Sequence, residues 1–163
     1  MIFKQLHGKT IVARRGKPVT KESALQRENR LRFKMASRFA KAMMLDAERK
    51  AYYWEEAKKL NLPNAYTAAI ADYMRKPQLK EVKVTTNESN IETNITALKK
   101  DFSINRIKVI AIGKDDTFIE DAESTDTFES WIYRFSADKE QIRKVMVIVQ
   151  DNAGNVVSST VEV

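Results

Sequence analysis

Cysteine is absent from all 163 residues, which excludes disulfides, thiolate metal sites and cysteine nucleophiles together. His7 is the only histidine, so multi-histidine metal sites and most histidine-based acid–base schemes are excluded too. A single histidine this near the terminus reads as a solvated loop residue. Glycine is scarce: Gly8, Gly16, Gly113 and Gly154 are the four, and without a cluster there is no phosphate-cradling loop. No stretch approaches the ~20 apolar residues needed to cross a bilayer. The opening residues, Met1 to Gly8, lack the apolar core of about 7–15 residues that a signal peptide carries. The expected location is cytoplasmic, with no membrane partner; export without a classical signal stays compatible with the sequence.

Charge is abundant but unevenly placed. Residues 1–80 hold 19 Lys and Arg against 7 Asp and Glu, a net of +12; residues 81–163 hold 10 against 15, a net of −5. Such an asymmetry implies two units with different surface roles, divided near Pro77. A unit of about 60–80 residues buries only roughly 60% of its unfolded surface, so each half is expected to be marginally stable alone.

The residue pattern changes at the same place. Ile2, Phe3, Leu6, Ile11 and Val12 flank Gly8 and predict a small hairpin, followed by a basic linker, Arg14-Arg15-Gly16-Lys17-Pro18. Thr20 or Ser23 opens a helix in which Phe33, Ala36, Phe39, Ala40, Met43 and Met44 form one apolar stripe. Asp46 caps a second helix over about 46–61 and Asn64 a third over about 64–75. The three predict a small bundle around Phe33, Phe39, Trp54, Ile70 and Tyr73. After Pro77 the period becomes two: Val82 and Val84; Ile91, Thr93, Ile95 and Ala97; Ile107, Val109, Ala111 and Phe118; Trp131, Tyr133 and Phe135; Val145, Val147 and Val149; Val157, Ser159 and Val161. Turn residues separate them at Thr86-Asn87-Glu88, at Gly113 to Asp116, at Glu123 to Asp126, at Ser136 to Asp138 and at Asn152 to Asn155. About seven short antiparallel strands predict an immunoglobulin-like or fibronectin-III-like sandwich. The expected organisation is α+β with two domains: a basic arm or hairpin over 1–19, a three-helix domain over 20–76 and the sandwich over 80–163. Trp131 is expected between the sheets, where Trp131→Ala costs about 3–5 kcal/mol.

Two stretches resemble bacterial immunoglobulin-like domains: Asp151-Asn152-Ala153-Gly154-Asn155 after Val145 to Val149, as in that family's last hairpin, and the acidic turn and strand from Leu98 to Val109. The resemblance covers about residues 80–163. The whole chain is similar to uncharacterised bacterial proteins that join such a domain to a short helical part, through Arg30-Leu31-Arg32-Phe33, Phe39-Ala40-Lys41-Ala42 and Asn64-Ala65-Tyr66. That group implies an architecture and no activity.

Candidate chemistry is thin. Related domains sometimes hold calcium at loops like those of Asp101 and Asp151. Calcium takes about six to eight oxygens, and two carboxylates beside Lys99 and Lys100 are a poor set, so turn-forming roles are expected. Glu55-Glu56 ahead of Lys58-Lys59 is a surface ion-pair pattern. Tyr52-Tyr53-Trp54, readable as a base-stacking platform, sits beside Ala51 and Ala57 at core spacing. No catalytic, metal or cofactor-binding residue is assigned, and no cofactor is expected. The predicted role is non-catalytic protein binding or assembly, by self-association or with a protein partner. The alternative is nucleic-acid binding through Arg14, Arg15, Lys17, Arg27, Arg30, Arg32, Lys34, Arg38 and Lys41, a basic arm leading into a basic helix.

Overall fold

Local capping chemistry sets the helix boundaries. In the computed structural model, which describes residues 1–6, 8–14, 16, 22–87, 90–125 and 130–163, α1 spans Ala24–Leu45. Ser23 and Gln26 form a reciprocal capping box at its start, each side chain accepting the other's backbone N–H at 3.2 and 3.0 Å. The carboxylate of Asp46 accepts from the N–H groups of Glu48 and Arg49, ending α1 and opening α2 at Ala47–Lys59. Asn61 takes a left-handed conformation as the chain leaves α2, and Asn64 caps α3 at Ala65–Met74 through the Thr67 N–H. The expected start at Thr20 and the basic linker residues Arg15, Lys17 and Pro18 lie outside the described residues, as do His7, Glu88 and Asp126.

The described residues form two compact units, Met1–Arg32 and Phe33–Val163. The first holds an antiparallel hairpin, β1 at Ile2–Leu6 and β2 at Lys9–Ala13, turning through Gly8 at positive φ, together with the first turns of α1. Direct pairing of Phe3 with Val12, and of Lys4 with Ile11, puts apolar residues on both faces. Ile2, Phe3, Ile11 and Val12 are all exposed.

The second unit contains the rest of α1, α2, α3 and seven strands in two antiparallel sheets. One sheet has the order β3 (Gln78–Thr86), β4 (Ile91–Leu98), β7 (Ser130–Arg134). The other runs β6 (Phe118–Ser124), β5 (Ile104–Gly113), β8 (Ile142–Asp151), β9 (Val156–Glu162). Strict alternation buries Ile91, Thr93, Ile95 and Ala97 on β4, Ile107, Val109 and Ala111 on β5, and Val145, Val147 and Val149 on β8. These apolar side chains form one cluster, with Leu79, Val82, Trp131 and Tyr133 packed against it. The chain is thus α+β, helices before sheets. Among the described residues no helix is long and apolar enough to cross a membrane.

A second cluster lies among the helices: Ala40, Tyr53, Ala57, Ala65, Ala68 and Ala69, with Phe39, Met43, Met44, Leu62, Tyr66 and Ile70 against it. Here two expected core residues are corrected. Phe33 is 52% exposed and Trp54 47% exposed, whereas Tyr53 is buried, with its ring edge-on to Phe39. Alanines bring the helices together, and the inward face of α2 is turned one residue back from the aromatic that its bulk suggested. Phe118 is likewise exposed rather than in the core.

Glu120 on β6 ties one sheet to the other. Its carboxylate accepts from the Tyr133 hydroxyl of β7 at 2.6 Å and from the N–H groups of Ser136 and Ala137 at 2.9 and 3.1 Å. Burial alone would raise its pKa, but these donors hold it below the ordinary glutamate range. The shared proton pushes the Tyr133 phenol up to about 12. Glu120→Gln is expected to cost about 1–2 kcal/mol at neutral pH. A folded carboxyl with lowered pKa stabilises above its unfolded value and loses that contribution as pH falls through the folded one. The deficit of the variant should therefore shrink on acidification through the ordinary glutamate range. Urea titrations at neutral and acidic pH check this, and an equal deficit at both would contradict it.

Candidate functional site

Four polar side chains occupy positions that the periodicity reserves for the core. On α3, Ala65, Ala68 and Ala69 line the buried face, and Asp72 follows three residues after Ala69 on the same face. On β4 the buried parity of Ile91 to Ala97 runs on to Lys99 just beyond the strand, and on β8 that of Val145 to Val149 runs on to Asp151. Tyr53 is the buried residue of α2 one turn before Ala57. These four converge. Lys99 Nζ donates to Asp72 Oδ1 and Asp151 Oδ2, and all three side chains are fully buried. Tyr53 donates its hydroxyl to Asp72 Oδ2 at 2.7 Å.

The network is closed on its other sides. Asp151 accepts from the backbone N–H of Asn155 at 2.7 Å and its side-chain amide at 2.9 Å; that amide also donates to the carbonyl of Tyr73 on α3 at 3.1 Å. The Phe102 ring centroid lies 5.5 Å from Lys99 Nζ. One ammonium thus faces two carboxyl groups, all three shielded from bulk solvent. Burial pushes the Asp72 carboxyl above its ordinary range, against the opposing pull of Lys99 and of the Tyr53 hydroxyl. Burial and the Asp72 charge drive the Tyr53 phenol well above its own.

Beside this core an open cleft of about 380 Å³ is lined by Met43, Glu48, Arg49, Tyr52, Tyr53, Asn105 and Asn152. Burial raises the Tyr52 phenol, opposed by bonding to Ser103 and Asn152, so Tyr52 offers a neutral hydroxyl. Arg49 is held by Asp46 at 3.7 Å and contacts the Met43 sulfur. A guanidinium, a phenol and two carboxamides make hydrogen-bonding edges.

The residues singled out from the sequence fall elsewhere. Asp101, in a left-handed turn, pairs with Arg75 at 2.6 Å, and Asp151 is taken up by Lys99 and Asn155. Each carboxylate already has a protein cation. Among the described residues no group of three or more Asp, Glu or His gathers as a metal set. Glu55 pairs with Lys58 on the surface of α2, and the largely buried Glu56 with the exposed Lys59. Of the basic residues, Arg15 and Lys17 lie outside the described residues. In the first unit Arg14 and Arg27 are exposed, Arg30 pairs with Glu22 at 3.1 Å and Arg32 is half-buried. In the second, Lys34, Arg38 and Lys41 are exposed on α1 at intervals of four and three, which places them on one helix face.

No protein-family model matches the sequence, and no curated protein does. Solved structures with a similar chain path include wild-type OgpA from Akkermansia muciniphila in two crystal forms. They share 8% identity over 53% of this chain, with TM-scores of 0.40 and 0.41. The match spans 27% and 26% of those chains, about a quarter of their length.

Proposed function

We propose that the chain is a non-catalytic assembly module that self-associates through its N-terminal hairpin. The observation that carries this is the hairpin itself, whose apolar residues Ile2, Phe3, Ile11 and Val12 are exposed and divided between both faces. A two-stranded hairpin is marginal in water on its own, and apolar surface left on both sides favours association. A second copy is the occupant that the charge suits, because the net +12 of residues 1–80 complements the net −5 of residues 81–163. The same reading takes β3 to β9 as an immunoglobulin-like or fibronectin-III-like sandwich, supported by the division into three and four antiparallel strands around one core. It also takes the chain as one of the bacterial proteins that join such a domain to a helical part.

Sedimentation velocity on the full chain tests the assembly. The wild-type protein should gain mass with concentration and fall back towards monomer at high salt. Phe3→Asp with Val12→Asp should stay monomeric with an unchanged circular dichroism spectrum. A wild-type chain that remains monomeric throughout would overturn self-association.

A second reading, nucleic-acid binding, is favoured by Lys34, Arg38 and Lys41, which share one face of α1 and have no ion-pair partner among the described residues. Titration against duplex DNA at two salt concentrations separates it from assembly, because phosphate contacts lose affinity steeply with salt. Negligible binding at low salt removes it.

A further inference from the structure

The buried cluster of Lys99, Asp72 and Asp151 holds an amine, an acceptor carboxyl and a proton carrier in mutual contact, shielded from bulk solvent. We propose that Lys99 and Asp72 become covalently joined, the Lys99 Nζ condensing with the Asp72 Cγ to an amide, with Asp151 carrying the protons. The inference stands on the geometry of this cluster and is independent of the assembly reading.

The roles follow from the partners each group already has. With both acids ionised the three groups carry one unbalanced negative charge, which is costly in a site shielded from solvent. A proton on one carboxyl removes it. Asp72 is the acid that burial shifts in that direction, and a protonated carboxyl is an electrophile where a carboxylate is not. Its Oδ2 already receives the Tyr53 hydroxyl at 2.7 Å, and negative charge would develop on that oxygen during attack. Asp151 instead accepts on both oxygens, from the Asn155 backbone and side chain and from Lys99 itself, as a base must.

The step balances within the site. The Lys99 ammonium passes one proton to the Asp151 carboxylate and becomes an amine. Its lone pair forms the Nζ–Cγ bond at Asp72 while the carbonyl π pair moves onto the oxygen facing Tyr53. The nitrogen then returns a proton to Asp151 as Asp151 gives its own to the departing hydroxyl, which leaves as water with the Cγ–O bonding pair. An amide, one water and a protonated Asp151 replace an ammonium, a carboxylic acid and a carboxylate, with no oxidant or activated ester needed. Amide formation is poor in bulk water, but groups held in contact gain effective concentrations of about 10⁵–10⁸ M.

The experiment is an intact-mass measurement on the full-length protein, denatured after purification. The expected mass is lower than that of the sequence by one water, and proteolysis should release a branched peptide joining the Asp72 segment to the Lys99 segment. A mass equal to that of the sequence, even after prolonged incubation of the folded protein, overturns the proposal. So does a lost water that maps to a succinimide or to a Lys99–Asp151 bridge. Asp151→Asn should retain the full sequence mass; a variant that still loses water overturns the role given to Asp151. Because the wild-type mass decides the main point, a variant that fails to fold leaves the test intact.

Discussion

Relative to wild-type protein in which Lys99 and Asp72 are not joined, replacing Lys99 by methionine is expected to cost about 3–5 kcal/mol, the range for breaking a buried ion pair from one side. Methionine fills nearly the same volume, so the cost is electrostatic rather than a cavity. Asp72 and Asp151 would be left fully buried with no cation between them, with only the Tyr53 hydroxyl and the Asn155 N–H groups as donors. The deficit should depend on pH with a definite sign. Asp72 already titrates above its ordinary range, and loss of the ammonium would push it further. A carboxyl whose folded pKa exceeds its unfolded value binds more protons in the native state between the two. Stability then falls as pH rises through that interval, so the variant should be weakest near neutrality and recover part of its loss towards about pH 4–5. Urea midpoints at several pH values measure this. A loss under about 1 kcal/mol at neutral pH would mean that the network contributes no more than a surface pair. Adding Asp72→Leu and Asp151→Asn to Lys99→Met should recover much of the loss, because the penalty lies in uncompensated charge.

The same residues show where sequence reading stops. Alternation placed the strands from β3 to β9 closely, because a residue's face depends only on its parity. Parity also put Lys99 in line with Ile91, Ile95 and Ala97, and Asp151 in line with Val145 to Val149, yet charge made Asp151 look like a turn residue. Asp72 likewise lies in phase with Ala65, Ala68 and Ala69. Three ionisable residues continuing buried faces was the available clue. What no single strand or helix discloses is that these three ends meet, since 27 and 52 residues separate Lys99 from its two partners.

The helices were legible through their caps, since Ser23, Asp46 and Asn64 act locally. Their inward faces were harder to read. Bulk suggested Phe33 and Trp54, but close approach of helices favours small residues, and alanine dominates the buried cluster. Once Ala57, Ala65, Ala68 and Ala69 set the helix spacing, Tyr53 is the aromatic that fits, with its hydroxyl satisfied by Asp72.

Phe135→Ala should destabilise the protein by about 3–5 kcal/mol, and Trp131→Ala by less, about 1–2 kcal/mol. Alternation correctly put Trp131, Tyr133 and Phe135 on one face, away from exposed Ile132, but it carries no information about depth. Phe135 is 1% exposed and belongs to the core cluster itself. Its ring meets Tyr133 edge-on at 5.0 Å, and its N–H donates to the Ile91 carbonyl at 2.9 Å, fixing it against β4. Trp131 lies four residues earlier, near the start of β7. It is only half-buried and packs against the core from outside, with Tyr133 at 5.7 Å. Truncating it therefore removes partial burial and leaves a groove that water can fill, whereas removing the Phe135 ring leaves a closed cavity with few ways to collapse. The larger cost expected for Trp131 from the sequence belongs four residues later, at Phe135. Urea midpoints of the two variants, with equal slopes, rank them directly. If Trp131→Ala proves the more damaging, the depth order along β7 is reversed and Trp131 is the anchor between the sheets.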